Sequence, residues 1–202
     1  GEGYRVLEAY SGVQALELMA RERVDLVLMD IMMPEMDGLT AVAKIRETSN
    51  VPVLFLSAKS EDTDKILGLN IGADDYITKP FNPVELCARV RSHLRRYIQL
   101  GGAAAQNGAV MRVGGIELND ESKAVTLDGE PVSLTPLEYS ILRLRMETPG
   151  KVFSSDEIYQ AVWNDAPYGA NATVAVHIRH LREKLEIDPA NPRYLKVLWG
   201  HG

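Results

Sequence analysis

An apolar run that ends in a single carboxylate is the feature that most constrains the fold of this chain. The segment Val24 to Gly38 reads VDLVLMDIMMPEMDG, so four consecutive apolar residues precede Asp30 and a Pro/Asp-Gly turn follows it. Apolar residues without alternation predict a strand covered on both faces, as in a parallel α/β sheet. Because ligands of such sheets bind beyond the carboxyl ends of the strands, Asp30 is a candidate for chemistry.

Two later segments repeat this pattern. VPVLFLSA (residues 51–58) predicts a second buried strand that ends near Ser57, and DYITKPF (residues 75–81) predicts a shorter strand that ends at Lys79. Apolar residues at helical spacing lie between them, and this alternation predicts a parallel sheet with right-handed crossovers. Such a sheet brings a carboxylate, a hydroxyl and an ammonium group to one edge, around a space that suits a phosphoryl group.

Each of these three side chains has a simpler interpretation when it is taken alone. Asp30 could be only a turn former, Ser57 a helix N-cap and Lys79 a solvated lysine. The coincidence of three strand ends favours a shared site. The single cysteine, Cys87, excludes a disulfide framework, and the lack of a long apolar run makes a soluble cytoplasmic protein the default expectation.

The spacing of Asp30, Ser57 and Lys79-Pro80, with GADDYITKPF (residues 72–81) and LCARVRSHLRRY (residues 86–97), resembles the receiver domain of OmpR/PhoB-type two-component response regulators. The resemblance implies a flavodoxin-like, doubly wound fold in which Asp30 accepts a phosphoryl group from a partner histidine kinase. Lys79 would supply a fixed positive charge, and the Lys79-Pro80 bond would be cis. Tyr76 would turn inward when Ser57 engages the phosphoryl group.

The same resemblance implies Mg²⁺ as a cofactor, held in receivers by an acidic pair at the end of the first strand. This chain starts with GEGYRVLEA, which resembles the second strand. Asp30 and the backbone carbonyl of Met32 would form an incomplete set of magnesium ligands. We therefore expect the first strand, the first helix and the remaining acidic ligands to lie outside the printed sequence.

A set of charged residues matches the face through which phosphorylated receivers of this family form homodimers. Opposite charges on such a face pair across a two-fold axis, which requires self-complementarity. The alternative is a set of ordinary surface ion pairs. The residues are Lys65, Asp74, Asp75, Glu85, Arg89 and Arg96.

The second half of the chain has a different organisation. Residues 101–108, GGAAAQNG, offer nothing to a core and predict a linker between domains at 1–100 and 109–202, although a loop within one larger domain is the alternative. Short alternating segments with an Asp128-Gly129 turn predict an antiparallel sheet. Three helices follow, the first capped by Thr135 and the second by Ser154, and the chain ends in what looks like a hairpin strand and its tip.

The net charge of −6 and the isoelectric point near 5.3 at first argue against a nucleic-acid partner. The third predicted helix, TVAVHIRHLREKL, is nevertheless basic, although an ordinary solvated helix face would look similar. SLTPLEYSIL, VAVHIRHLREKL and KVLWGHG resemble the winged helix-turn-helix domain of the same family. That resemblance implies a helix in the major groove and a wing in the minor groove. The DNA-binding candidates are Thr173, His177, Arg179, His180, Arg182, Lys184, Lys196 and Trp199.

His180 and Trp199 stand where arginine is common in the family, and the surrounding motifs most resemble regulators of inducible vancomycin resistance. The leading hypothesis is a DNA-binding transcriptional regulator that phosphorylation switches. Its implied partners are a histidine kinase, operator DNA, RNA polymerase and a second copy of the chain. One alternative is a constitutive DNA binder whose receiver serves only for dimerisation, and another is a phosphohydrolase that turns over an aspartyl phosphate.

Overall fold

A computed structural model describes residues 3–58, 68–101, 110–163 and 170–197. Its helices are α1 Gly12–Arg21, α2 Gly38–Thr48, α3 Pro83–Gly101, α4 Pro136–Glu147, α5 Ser155–Trp163 and α6 Ala170–Leu185. Its strands are β1 Val27–Asp30, β2 Val53–Ala58, β3 Asp75–Lys79, β4 Val110–Val113, β5 Ile116–Asn119, β6 Ala124–Leu127 and β7 Glu130–Pro131. The chain divides into two compact units, Gly1–Cys87 and Ala88–Gly202. Within the described ranges, no helix combines the length and apolar character needed to cross a bilayer.

The first unit contains the predicted parallel sheet, with strands in the order β1-β2-β3. Strand β2 lies in the middle and is largely buried, with Val53, Leu54 and Phe55 at most 1% exposed. The unbroken apolar run of β2 is what a central strand covered on both faces requires.

The prediction that β1 is covered on both faces is wrong for this structure. In β1 only Met29 is buried, while Leu28 is 41% exposed. Among the described residues β1 pairs with β2 alone, and residues 4–9, which resemble a strand in sequence, form no strand. Leu28 therefore lies on an edge strand of the described sheet.

The loop after β1 returns the chain tightly against that strand. Asp37 caps α2, because its carboxylate accepts hydrogen bonds from the N–H and the hydroxyl of Thr40 at 2.8 and 2.9 Å. These bonds hold the pKa of Asp37 below its usual value. Gly38 then starts the helix, and a Cβ there would lie 2.1 Å from the carbonyl oxygen of Asp30. Glycine is therefore required at position 38 by a close approach of α2 to the end of β1.

The second unit contains the predicted antiparallel sheet, whose strands are in the order β4-β5-β6-β7. The β6-β7 hairpin turns at Asp128 and Gly129, which have φ values of 51° and 90°. Positive φ at both central residues is the geometry that Asp-Gly hairpins favour. Strand β7 consists of two residues, Glu130 and Pro131.

Helices α4, α5 and α6 follow in the predicted order. Thr135 and Glu138 form a capping box with Pro136 in the first turn of α4. Ser154 and Glu157 exchange the same pair of hydrogen bonds, at 3.1 and 2.8 Å, at the start of α5. The three helices and the sheet share one apolar core, which includes Ile116, Leu118, Leu137, Ile141, Leu181 and Leu185.

The predicted hairpin strand at the end of the chain is absent from its described part, which stops at residue 197. The reason is visible in the hydrogen bonds of Arg193, Tyr194 and Leu195. Their main-chain groups bond to the side chains of Arg182 and Glu186 instead of to a neighbouring strand.

Candidate functional site

The carboxyl ends of the three parallel strands bring Asp30 and Lys79 together. Asp30 is the last residue of β1, Lys79 is the last residue of β3, and β2 separates the two strands. The Lys79 ammonium nevertheless reaches across and donates to Oδ2 of Asp30, while Oδ1 accepts from the N–H of Met32 at 3.2 Å. The side chain of Asp30 is 36% exposed and that of Lys79 is 40% exposed, so the pair is accessible from solvent.

Ser57 lies at the same edge but does not point its hydroxyl proton at Asp30. The register pairs Asp30 with Leu56, so Ser57 is one residue further along β2. Ser57 is 3% exposed, and its Oγ donates to the carbonyl of Ala58 at 2.8 Å. Tyr76 pairs with Phe55 and is half-buried, two register positions further from the edge than Ser57. The Lys79-Pro80 bond is cis, as the resemblance implies.

The residues at this edge do not complete a magnesium site. The sequence predicts two oxygen donors here, the Asp30 carboxylate and the carbonyl of Met32. Within the part of the chain that the structure describes, no three His, Cys, Asp or Glu side chains are grouped to hold a metal ion. Since Mg²⁺ takes octahedral oxygen coordination, these donors alone do not fit it.

Asp74, which the sequence places on the dimer face, is buried. It is 1% exposed, and its Oδ2 accepts from Nη2 of Arg46 and from the N–H of Val53, both at 2.8 Å. Arg46 also donates to the carbonyls of Gly72 and Val51, at 2.7 Å each. Asp74 therefore ties α2 to the strands, and a residue held in this way does not present its charge to a second copy.

The other dimer-face candidates differ in exposure. Asp75 is 2% exposed and accepts from the N–H of Tyr76 at 2.8 Å, whereas Glu85 is exposed and Arg89 is half-buried. Arg96 belongs to the second unit, where its guanidinium donates to the main-chain carbonyl of Val162. Lys65 lies outside the described residues.

Three of the DNA-binding candidates on α6 are buried in this conformation. Thr173, His177 and His180 are 2%, 2% and 9% exposed. The ring of His177 lies 5.6 Å from that of Trp163, and Nδ1 of His180 lies 3.9 Å from Oε1 of Glu138. These residues follow one another at steps of four and three, so they lie on one side of α6. That side is covered here, which differs from the expectation that it faces DNA.

The cationic candidates on α6 each have an acidic or main-chain partner. Arg179 is exposed and pairs with Glu183 at 3.2 Å, one turn along the helix. Arg182 donates to the carbonyl of Leu195, and Lys184 pairs with Glu138 at 2.6 Å. Lys196 is exposed, and Trp199 lies outside the described residues.

Three residues hold these sites together in a way that the sequence did not indicate. They are Arg46, Glu138 and Glu186. The capping box did indicate Glu138, but only as a helix cap and not as the partner of Lys184. Arg46 and Glu186 have no local signal, because their partners are distant in sequence or outside regular structure.

A parallel sheet that presents an Asp–Lys pair, joined to a small sheet with three helices, defines a receiver coupled to a DNA-binding domain. Residues 1–91 match the family model of the response regulator receiver domain, and residues 129–202 match that of the C-terminal domain of transcriptional regulatory proteins. The regulatory protein VanR of Enterococcus faecium is 44% identical over 202 residues, which are 100% of this chain and 87% of VanR. This chain belongs to the OmpR/PhoB-type family of DNA-binding response regulators.

Other relatives show the same pattern over the whole chain. The uncharacterized transcriptional regulatory protein YrkP of Bacillus subtilis (strain 168) is 45% identical over 99% of this chain and 87% of YrkP. The solved structure of a RitR mutant covers 100% of this chain and 87% of its own, with a TM-score of 0.74 and 24% identity, and so supports the fold. The resemblance to vancomycin-resistance regulators is confirmed, and YrkP is similar to this chain to the same degree.

Proposed function

We propose that Asp30 is the phosphoryl acceptor of this response regulator and that Lys79 stabilises the transferred group. The observation that supports this most directly is the contact between Lys79 Nζ and Asp30 Oδ2 at the carboxyl ends of β3 and β1. A carboxylate without a nearby cation would repel an incoming phosphoryl group. The ammonium group therefore supplies the charge that this chemistry needs.

In the proposed reaction, a carboxylate oxygen of Asp30 attacks the phosphorus of a phosphohistidine on a partner kinase. An O–P bond forms, the P–N bond breaks, and the electron pair of that bond leaves with the imidazole nitrogen. In the unphosphorylated structure the Lys79 ammonium donates to one carboxylate oxygen of Asp30. After the transfer the negative charge lies on the phosphoryl oxygens, and the ammonium shifts to those oxygens. No step is assigned to a metal ion, because the described donors do not complete a site for one.

Ser57 and Tyr76 are proposed to report the phosphorylation. The Ser57 hydroxyl now donates to the Ala58 carbonyl, and rotation about one bond redirects it toward the edge that holds Asp30. Tyr76 is half-buried on the adjacent strand and can occupy the space that this rotation leaves. These two movements would alter the surface near β3 in response to one added group.

The proposed output is homodimer formation and DNA binding. Of the described dimer-face candidates, Glu85 is exposed, and Arg89 and Arg96 are half-buried. For DNA contact, the exposed cations of the predicted set are Arg179, Lys184 and Lys196, of which Lys184 is held by Glu138. Contact by Thr173, His177 or His180 requires a conformation that exposes them. Binding of RNA polymerase stays a prediction.

Intact-mass spectrometry tests the acceptor directly. The chain is incubated with acetyl phosphate in a buffer that contains magnesium chloride, and the added phosphoryl group is mapped by peptide sequencing after borohydride trapping. We expect one labelled carboxylate, Asp30, and no label in Asp30→Asn. Asp25→Asn is the matched control, because Asp25 is also a surface acid that pairs with a cation, Arg23, at 3.2 Å. Equal labelling of Asp30→Asn and the unaltered chain would contradict the assignment.

A further inference from the structure

Two side chains at the end of α6 hold the segment that follows it. Glu186 is 8% exposed, and its carboxylate accepts three consecutive main-chain N–H groups, those of Arg193, Tyr194 and Leu195, at 2.7, 2.7 and 2.9 Å. Arg182, one helical turn earlier, donates through Nε and Nη2 to the carbonyl of Leu195 at 2.8 and 2.6 Å. Both main-chain polar groups of Leu195 are therefore bound by side chains of the α6 end.

The same segment is fixed on its other side by the core and by the β4-β5 turn. Leu195 is 5% exposed within the apolar core. The hydroxyl of Tyr194 accepts from the N–H of Gly115 at 3.1 Å, and a Cβ at Gly114 would lie 2.6 Å from the Tyr194 ring. The next residue, Lys196, is exposed. Its position relative to α6 is thus set by the contacts of the three residues before it.

We propose that Arg182 and Glu186 are positioning residues for DNA binding. They fix Lys196 relative to α6, so that the helix and the segment after it meet the duplex as one preformed surface. Hydrogen bonds in which one partner is charged are the stronger kind, and a preformed surface loses less conformational entropy on binding. The inference rests on the proposed DNA contacts of Arg179 and Lys196. It gives Arg182 a different role from the direct DNA contact that the sequence predicts.

Charge and positioning predict opposite effects for one substitution. Glu186→Gln removes a negative charge near the proposed DNA-binding surface, which on electrostatic grounds strengthens binding to phosphates. It also replaces one acceptor oxygen by an NH₂ group that cannot accept an N–H, so the segment is held less firmly. Glu183→Gln is the matched control, because it makes the same charge change on α6 while Glu183 pairs with Arg179 on the helix surface.

The experiment uses the full 202-residue chain and a random-sequence 30-base-pair duplex, with fluorescence anisotropy at several salt concentrations. We expect Glu186→Gln to weaken binding by about threefold or more, and Glu183→Gln to leave it unchanged or tighten it. Equal tightening in both variants overturns the positioning role. If Glu186→Gln fails to fold by circular dichroism, Arg182→Lys replaces it, since lysine keeps the charge but lacks the paired donors.

A double-mutant cycle with Lys196→Ala separates positioning from a general loss of stability. If Glu186 acts through Lys196, Lys196→Ala weakens binding about fivefold in the unaltered chain but less than about twofold in Glu186→Gln. Additive losses, or no effect of Lys196→Ala in the unaltered chain, overturn the inference. If the unaltered chain fails to bind any duplex, the proposed DNA contacts themselves fail, which is a distinguishable result.

Discussion

Gly38 has no side chain, and this allows the start of α2 to lie close to Asp30, the candidate acceptor. Its φ is not in the left-handed region, so by helix propensity alone Gly38→Ala at the start of α2 should stabilise the protein. The structure predicts the opposite sign, because a Cβ there would lie 2.1 Å from the Asp30 carbonyl oxygen. We expect a loss of about 1–3 kcal/mol in the free energy of unfolding, measured by urea denaturation, together with slower labelling of Asp30. An increase in stability would show that α2 does not press on β1.

The contribution of the Asp120 carboxylate to the stability of the protein depends on pH. Burial raises the pKa of Asp120, but hydrogen bonds from Lys123 and Tyr139 and the charge of Arg143 outweigh it, and the pKa lies below its usual value. A depressed pKa contributes stability that is present above the unfolded value, about 3.9, and is lost as the pH falls through the folded value.

We therefore expect Asp120→Asn to be less stable than the unaltered chain at pH 7, by about 1 kcal/mol after solvent screening, and this difference to shrink below about pH 4. Urea unfolding followed by tryptophan fluorescence from pH 3 to 7 measures it. Glu121→Gln, a neutralised neighbour that is exposed, provides the control. A difference that stays constant over this range would exclude the carboxylate as its source.

At the scale of elements, one ion pair joins the start of α4 to the end of α6. The Glu138 carboxylate closes the capping box by accepting from the N–H of Thr135 at 2.8 Å and also binds the Lys184 ammonium at 2.6 Å. Glu138 is nearly buried, whereas the Lys184 side chain is 34% exposed. Lys184 therefore serves helix packing in this structure, although its sequence position suggests DNA binding.

Lys184→Met separates these two roles. We expect a loss of about 1–2 kcal/mol in the free energy of unfolding, because a nearly buried carboxylate loses a charged donor, and an unchanged salt dependence of DNA binding. Arg179→Met is the comparison, since it removes an exposed cation from the same helix and should reduce the salt slope by about one. A reduced slope in Lys184→Met would return that residue to the DNA-contacting set.

The elements that were predictable from sequence are those whose signals are local. The Thr135 capping box, the Asp128-Gly129 hairpin and the apolar run of β2 each lie within a few residues, and each appears in the structure. The end of the chain, residues 193–202, was predicted as a hairpin strand and its tip, but in the described part the main-chain groups of residues 193–195 bond to Arg182 and Glu186. A bond to a side chain on another element leaves no pattern in the segment itself.

At the scale of the whole molecule, the sequence predicted which strand ends meet more reliably than which side chains face outward. The motif spacing correctly indicated that Asp30 and Lys79 meet, because parallel strands end at one edge. It did not indicate that Asp74 and His177 are buried, since both are polar residues whose burial depends on Arg46 and Trp163 elsewhere in the chain. Whether a polar side chain is buried depends on tertiary contacts, and the periodicity of the sequence alone does not predict it.

Phosphorylation should change the assembly state and, through it, the DNA affinity of the whole chain. Two weakly binding domains joined in a dimer gain affinity for a duplex with two half-sites through effective concentration, by about 10²-fold, and gain little for a single half-site. Sedimentation velocity and anisotropy measure the two effects, with sites first selected from a random pool and acetyl phosphate as the donor. Asp30→Asn should show neither gain.

Glu85→Lys should impair dimer formation while labelling of Asp30 persists. The double variant Glu85→Lys with Arg89→Glu should restore part of the dimer formation if these charges pair across the two-fold axis. A phosphorylated protein that binds two half-sites tightly while remaining monomeric would contradict this coupling and favour a switch within one chain.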